Sequence, residues 1–352
     1  MSILARAILK LFKNRKKSNS NIKDSQKVLI HARGKISKAI MTYPLIREMK
    51  KNNPNLQVDI LAIRQNAFAF AHNPHINQVY TLRRGLTKNI SLWKQLKKQN
   101  YDLIIDLSAM KLGTFFFYAT LNAKHYFAEN FKNKYKLDTR ELNFFDSLLD
   151  RESANNKYLS KCHLRYLEPL KYKLFDDSLE VYTTQKKLDY AENFFKDYKD
   201  KTIIAFNVTA SIPDRTIKES DYIYIANKLS EIDGIHVFFI TMPNNREKIQ
   251  SNIHSIKNIS LAYETKDIFD AIALIDKIDL LVSPDTSLIH IANGLKKPAI
   301  GIYELPHNNK SHTWYDHDSD LIHVSNDGLS SIHDFDKDEV ISHVRNFLTQ
   351  AK

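Results

Sequence analysis

LLVSPDTSLIHIANGLKKPAIGIY, residues 280–303, is the stretch whose reading decides the fold. It reads as a buried strand Leu280–Ser283, then Pro284, then Asp285 as the N-cap of a helix from Thr286 to Leu295. Lys296-Lys297-Pro298 follows, and a second apolar strand ends at Tyr303. A strand feeding straight into a capped helix aims unbonded N–H groups and the positive end of the helix dipole at one point, which suits a phosphate. Thr286 and His290 stand four residues apart on one helix face and can line the same mouth. The residues fit a second reading equally well: Asp285 only caps the helix, and His290 is a surface or packed core histidine.

Working outward, strand and helix alternate in two blocks. The first holds strands at 27–32, 57–63, 78–82 and 102–108, with helices at 38–52, 92–99 and 113–122. The second opens with a helix at 188–198 and the strand 202–208. A helix at 221–231, a strand at 236–242 and a helix from Asn245 lead to the 280–303 unit. Such alternation predicts parallel sheets covered by helices on both faces. The expected fold is α/β: two Rossmann-like, doubly wound domains facing across a cleft, with ligands beyond the carboxyl ends of the strands. The expected division is a basic N-terminal segment and linker at 1–26 and domains at 27–178 and 179–335. The join lies within Lys171–Lys187, and a last helix in 336–352 is free to pack back across it.

At 352 residues and 43% hydrophobic content, the chain can bury two cores of ordinary size. No apolar run approaches the roughly 20 residues that cross a bilayer, and the N-terminus lacks the pattern of a cleaved secretory signal. The lone Cys162 excludes an internal disulfide and a Cys-rich metal site. A formal charge of +12 favours anionic partners. Nucleic acid is set aside, because no zinc-finger spacing, RNP-type motif or basic zipper is present. The front segment MSILARAILKLFKNRKK, residues 1–17, carries Ile3, Leu4, Ala7, Ile8, Leu11 and Phe12 along one helical face. Arg6, Lys10, Lys13, Arg15, Lys16 and Lys17 surround it. This is the pattern of an interfacial helix on an anionic membrane surface; a basic tail or a helix packed on a partner chain is the alternative.

With seven glycines and no Gly-x-Gly-x-x-Gly, P-loop or Gly-x-Ser-x-Gly, nicotinamide, flavin and α/β-hydrolase readings lack support. Phosphate would be held by helix N-termini and single side chains. A second candidate for that is NVTASIPDRTIKESDY, residues 207–222, which offers Thr209, Ser211 and Arg215. A solvated loop arginine explains the last as well.

The 280–303 segment resembles the donor-site signature of glycosyltransferase family nine, the bacterial ADP-heptose lipopolysaccharide heptosyltransferases: apolar strand, Pro-Asp-Thr-small, His, Lys-Pro, strand. KVLIHARGKISKAIMTYPLIREMKKNNPNLQVDILAI, NPHINQVYTL and YDLIIDLS are similar to the family's front, so the likeness covers most of 27–305. It implies a GT-B fold and a glycosyltransferase without a cofactor or metal, in which ADP-heptose is a substrate. Asp285, Thr286 and Ser287 would hold sugar and pyrophosphate, with His290 beside the phosphates. Arg215 matches a phosphate-contacting lysine, and Ala210 and Ser211 match small, often hydroxylated residues. Met242 falls where a backbone group reads adenine, and Glu247 where an acidic residue meets the ribose.

The resemblance also implies Gly-Asp in the first loop, with the Asp as the base that deprotonates the acceptor. The matching residues here are Ser37 and Lys38, and a protonated lysine cannot be that base. Three readings stay open: Asp106 takes the proton, Lys38 holds an acidic acceptor that assists its own deprotonation, or the chain binds sugar nucleotide and lipid without efficient transfer. The activity implied is inverting transfer of heptose to the lipopolysaccharide or lipooligosaccharide inner core, with Kdo-lipid A or core oligosaccharide as acceptor. It would take place on the cytoplasmic face of the inner membrane. A different nucleotide sugar is the alternative.

Overall fold

The computed structural model describes residues 15–85, 87–107, 112–130, 143–150, 159–304, 320–324 and 332–350. Two compact units divide the chain, Met1–Leu179 and Glu180–Lys352.

The first unit contains β1 (Lys27–Ala32), β2 (Gln57–Ile63), β3 (Gln78–Leu82), β4 (Leu103–Asp106), β5 (His125–Asn130) and β6 (Ser147–Asp150). They form one parallel sheet in the order β3-β2-β1-β4-β5-β6. Ile30 of β1 lies between Ile60 and Ile105, and Val28, Leu29 and Ile30 are wholly buried. A central parallel strand is covered on both faces, which is why β1 and β4 read as unbroken apolar runs. The winding reverses between β1 and β4.

The helix expected over 38–52 is two helices, Ile36–Ile40 and Tyr43–Asn52. Pro44 explains the break: inside a helix its ring would strike the carbonyl of Ile40, four residues back. Placed in the first turn of the second helix, it gives up an N–H that needs no partner there. Gly34, before the first helix, holds φ +124°, and a Cβ there would stand 2.5 Å from Lys38 Cδ.

Residues 1–14 of the expected interfacial helix lie outside the described residues. Arg15 corrects part of that expectation. Its guanidinium donates to the Phe144 carbonyl at 2.9 Å and the Lys124 carbonyl at 3.0 Å and pairs with Asp146. It also lies over the Tyr126 ring at 5.0 Å. Arg15 is therefore folded into the first unit, and only the exposed Lys16 and Lys17 of the described residues fit the charged face expected.

The segment from Tyr172 to Thr184 has neither helix nor strand. Buried Glu48 fastens its start, accepting from the Phe175 N–H at 2.6 Å and the Asp176 N–H at 3.2 Å, while Arg47 donates to the Ser178 carbonyl at 3.0 Å.

The second unit repeats the plan with β7 (Thr202–Asn207), β8 (Ile235–Ile240), β9 (Ile259–Leu261), β10 (Leu280–Pro284), β11 (Ala299–Glu304) and β12 (Asp320–Val324). The order is β12-β11-β10-β7-β8-β9, all parallel, so here the winding reverses between β7 and β10. The Lys337–Gln350 helix packs against the Glu219–Ser230 helix and sends Val340 and Val344 into the core of this unit. Among the described residues, no helix is long and apolar enough to cross a membrane.

Candidate functional site

The carboxyl ends of β7, β8 and β10 converge at the reversal point of the second sheet, the place where doubly wound sheets hold ligands. Asn207 ends β7, Pro284 ends β10, and Met242 lies two residues beyond β8.

The helix after β10 begins one residue later than expected, at Ser287. Its N-cap is Thr286, whose backbone is extended (φ −133°, ψ 174°) and whose Oγ1 accepts from the Leu288 N–H at 3.3 Å. Asp285 is therefore not the cap. Its N–H donates to the Ile302 carbonyl at 3.2 Å, and its carboxylate receives Arg215 Nη1 at 2.5 Å. The cap shifts because this ion pair holds the longer side chain, leaving the shorter hydroxyl to close the turn. Both partners keep some exposure, 29% for Arg215 and 18% for Asp285, at the open side of the site.

The later start also separates Thr286 from His290. Thr286 is not helical, so four-residue spacing does not put the two on one helical face. His290 is buried, and burial pushes its imidazole down to about 4. It is neutral near pH 7 and brings no positive charge to a phosphate. Ser287 is half-buried in the first helical turn.

The loop after β7 is held by a short turn at Pro213–Arg215 and by Thr216 Oγ1, which accepts from the Ala210 N–H at 3.1 Å. Ser211 is exposed at its tip. Thr209, expected to face a phosphate, is buried instead and accepts from the Met242 N–H at 2.9 Å. The Met242 carbonyl accepts from the Asn245 N–H at 3.0 Å, so its N–H is tied to the loop after β7 and its carbonyl to its own loop. Its side chain is 42% exposed and offers an apolar face that a flat ring can cover. Glu247 is exposed in the first turn of the Arg246–Ile253 helix, with no hydrogen bond or ion pair to hold it among the described residues.

Asn207 and Ser283 carry functional geometry that the sequence reading missed. Asn207 Nδ2 donates to Ser283 Oγ at 3.0 Å and Thr286 Oγ1 at 3.3 Å, and its Oδ1 accepts from the Thr209 N–H at 3.3 Å. The available signal was a polar residue closing each of two otherwise apolar strands, TIIAFN and LLVSP.

Lys38 and Asp106 belong to the first unit. Lys38 is half-buried, its stem against Gly34. Its charge adds to burial in pushing His163 down to about 4, against the pull of the Met41 carbonyl. Asp106 is buried at the end of β4. One oxygen pairs with His31 Nδ1 at 2.8 Å and the other accepts from the Tyr118 hydroxyl at 3.0 Å. The His31 contact ties β4 to β1, and the Tyr118 contact ties β4 to the Leu112–Ala119 helix. Among the described residues, no group of three or more His, Cys, Asp or Glu side chains is placed to hold a metal ion.

Two doubly wound units, one with an arginine and a capped helix start at its reversal point, define an α/β protein of two parallel-sheet domains. The model of glycosyltransferase family 9 (heptosyltransferase) matches residues 89–343, and the chain belongs to that family. It is 25% identical over 237 residues to the lipopolysaccharide core heptosyltransferase OpsX of Haemophilus influenzae, covering 65% of this chain. The match spans 65% of that relative's own length, just under two thirds. Among solved structures, the glycosyl transferase family 9 protein of Veillonella parvula superposes with a TM-score of 0.73 at 13% identity, over 94% of this chain and 99% of that one. The Escherichia coli heptosyltransferase WaaC with ADP gives 0.70 at 13% identity, over 92% of this chain and 99% of that one. The fold is GT-B.

Proposed function

We propose that this chain is a metal-independent, inverting heptosyltransferase that moves heptose from ADP-heptose to the inner core of lipopolysaccharide or lipooligosaccharide. The observation that carries the proposal is the constellation at the second unit's reversal point: Arg215 and Asp285 paired beside a helix start capped by Thr286. A guanidinium and free helical N–H groups suit the diphosphate of a nucleotide sugar. Family membership and the structure of a relative with ADP support the same nucleotide.

In the reaction, an acceptor hydroxyl oxygen bonds to the anomeric carbon from the face opposite the diphosphate. The bond from that carbon to the phosphate oxygen breaks, and ADP leaves with its electrons. Arg215 and the Ser287 helix start offset the charge that develops on ADP. The hydroxyl proton goes to an acidic group of the acceptor itself, held by Lys38. Asp106 is a poor recipient, since it is 1% exposed at the end of β4. The acceptor is a Kdo-lipid A or heptosylated core headgroup, met on the cytoplasmic face of the inner membrane, where residues 1–14 with Lys16 and Lys17 touch anionic lipid.

A second reading is favoured by Lys38 alone: a sugar-nucleotide- and lipid-binding protein in which transfer is disabled. Lys38→Asp separates the two. Turnover falls at least tenfold if Lys38 serves the acceptor, an order-of-magnitude figure for one charged contact. Turnover that rises instead identifies a disabled relative.

A further inference from the structure

We infer that Asn207 is a positioning residue that turns the Thr286 hydroxyl into a hydrogen-bond donor, so that this point of the site takes an acceptor-only phosphoryl oxygen. The inference rests on the donor-site reading above and deepens it.

The argument is a count of donors and lone pairs. The Thr209 N–H faces one side of the Asn207 amide at 3.3 Å, so that side is the carbonyl oxygen and the amide nitrogen faces Ser283 and Thr286. Ser283 Oγ lies 2.8 Å from the Pro284 carbonyl, which can only accept, so the Ser283 proton goes there. Thr286 Oγ1 accepts from Asn207 Nδ2 at 3.3 Å and from the Leu288 N–H at 3.3 Å, which uses both its lone pairs. Its own proton must therefore be given away. In the structure the taker is Ser283 Oγ at 3.1 Å. With ligand, rotation about the Cβ–Oγ1 bond turns that proton from Ser283 to a phosphoryl oxygen; one lone pair leaves its donor in the turn, while Asn207 Nδ2 keeps Ser283 Oγ as acceptor at 3.0 Å.

Asn207 is 3% exposed and Ser283 wholly buried, so ligand does not replace this inner support. The same amide reaches the other end of the site through Thr209, whose hydroxyl holds the Met242 N–H at 2.9 Å. One buried side chain thus ties the ends of β10, β7 and β8 together, and its donor–acceptor polarity sets that of Thr286.

Asn207→Asp is the test, because it keeps shape and the acceptor toward Thr209 but removes the donor. The new carboxylate is a stronger acceptor than Ser283 Oγ, so it holds the Thr286 proton inward against a ligand, and it adds a negative charge near the diphosphate. ADP and adenosine are titrated by calorimetry into wild type, Asn207→Asp, Thr286→Val and the double variant, with thermal melting to confirm folding. The expected result is a loss in ADP affinity of about tenfold or more for Asn207→Asp, with adenosine affinity unchanged. In the Thr286→Val background the same change costs less, because the hydroxyl it acts through is gone. Wild-type ADP affinity in a folded Asn207→Asp protein overturns the assignment, as does an equal loss with and without the Thr286 hydroxyl. If wild type itself binds no ADP, the donor-site reading falls and takes this assignment with it.

Discussion

Asp285→Asn should tighten ADP binding, although it removes a residue of the site. The Asp285 carboxylate lies 2.5 Å from Arg215 Nη1, so an arriving diphosphate competes with it for the guanidinium. Two unit charges about 4 Å apart interact by roughly 4 kcal/mol at an effective dielectric of about 20. Partial exposure of both side chains and the water that follows ligand in reduce the net effect to about 1–2 kcal/mol. The expected gain is about five- to thirtyfold in ADP affinity, read by calorimetry at two salt concentrations and smaller at the higher one. Arg215→Gln should move affinity the other way by at least as much. Turnover of Asp285→Asn should nonetheless fall, because the carboxylate is proposed to grip the transferred sugar. Unchanged or weaker ADP binding by a normally folded Asp285→Asn protein would show that Asp285 orients Arg215 for phosphate instead of competing with it, and would refute the reasoning.

Glu48→Gln tests how the segment leaving the first unit is fastened. Burial raises the Glu48 carboxyl, but the Phe175 N–H, Lys51, Arg47 and the Asp176 N–H outweigh it and hold the group below its usual range. The ion pairs with Arg47 and Lys51 are lost in the variant, at a cost of about 2–4 kcal/mol in urea unfolding, with faster proteolysis at 173–178. Because the folded-state value is lowered, Glu48 stabilises the protein above its unfolded value and stops doing so as pH falls through the folded one. His290 acts in the same direction by another route. Its value falls from 6.5 to about 4, so between these pH values the unfolded chain binds a proton that the folded one refuses. Stability should drop by about 3 kcal/mol as pH falls across that window, and His290→Gln should flatten the slope measured by thermal melting. His163 adds a like effect in the first unit.

Most of the architecture was legible because central parallel strands are apolar throughout and their boundaries are sharp: 27–32, 57–63 and 78–82 were read with the bounds observed. The weaker elements escaped. β9 is only three residues long, and the Ile268–Asp276 helix is apolar on most sides and lacks a clear stripe. Pro44 was visible, but its cost falls on the carbonyl four residues earlier, a relation easily lost inside a strong amphipathic pattern. At the candidate site, the strand–helix junction and Arg215 were legible from residue type and position. The division of labour was not. Asp285 is a good cap in isolation, but its carboxylate meets Arg215 from a loop 70 residues away and its N–H continues the sheet to Ile302, and Thr286 caps the helix. Burial of His290 likewise depends on neighbours that spacing does not name. Asn207 looked like the polar end of a strand until Ser283 and Thr286 were brought within reach of its amide.

The central claim is tested most directly by ADP release from purified protein given ADP-heptose, with and without Kdo-lipid A or heptosylated core. Thr286→Ala runs beside it. The expected result is release that requires acceptor, persists in EDTA and is lost in Thr286→Ala. Acceptor-independent release, or no release from a protein that binds ADP-heptose by calorimetry, would contradict heptosyl transfer to these acceptors; no binding at all would remove the donor site as well.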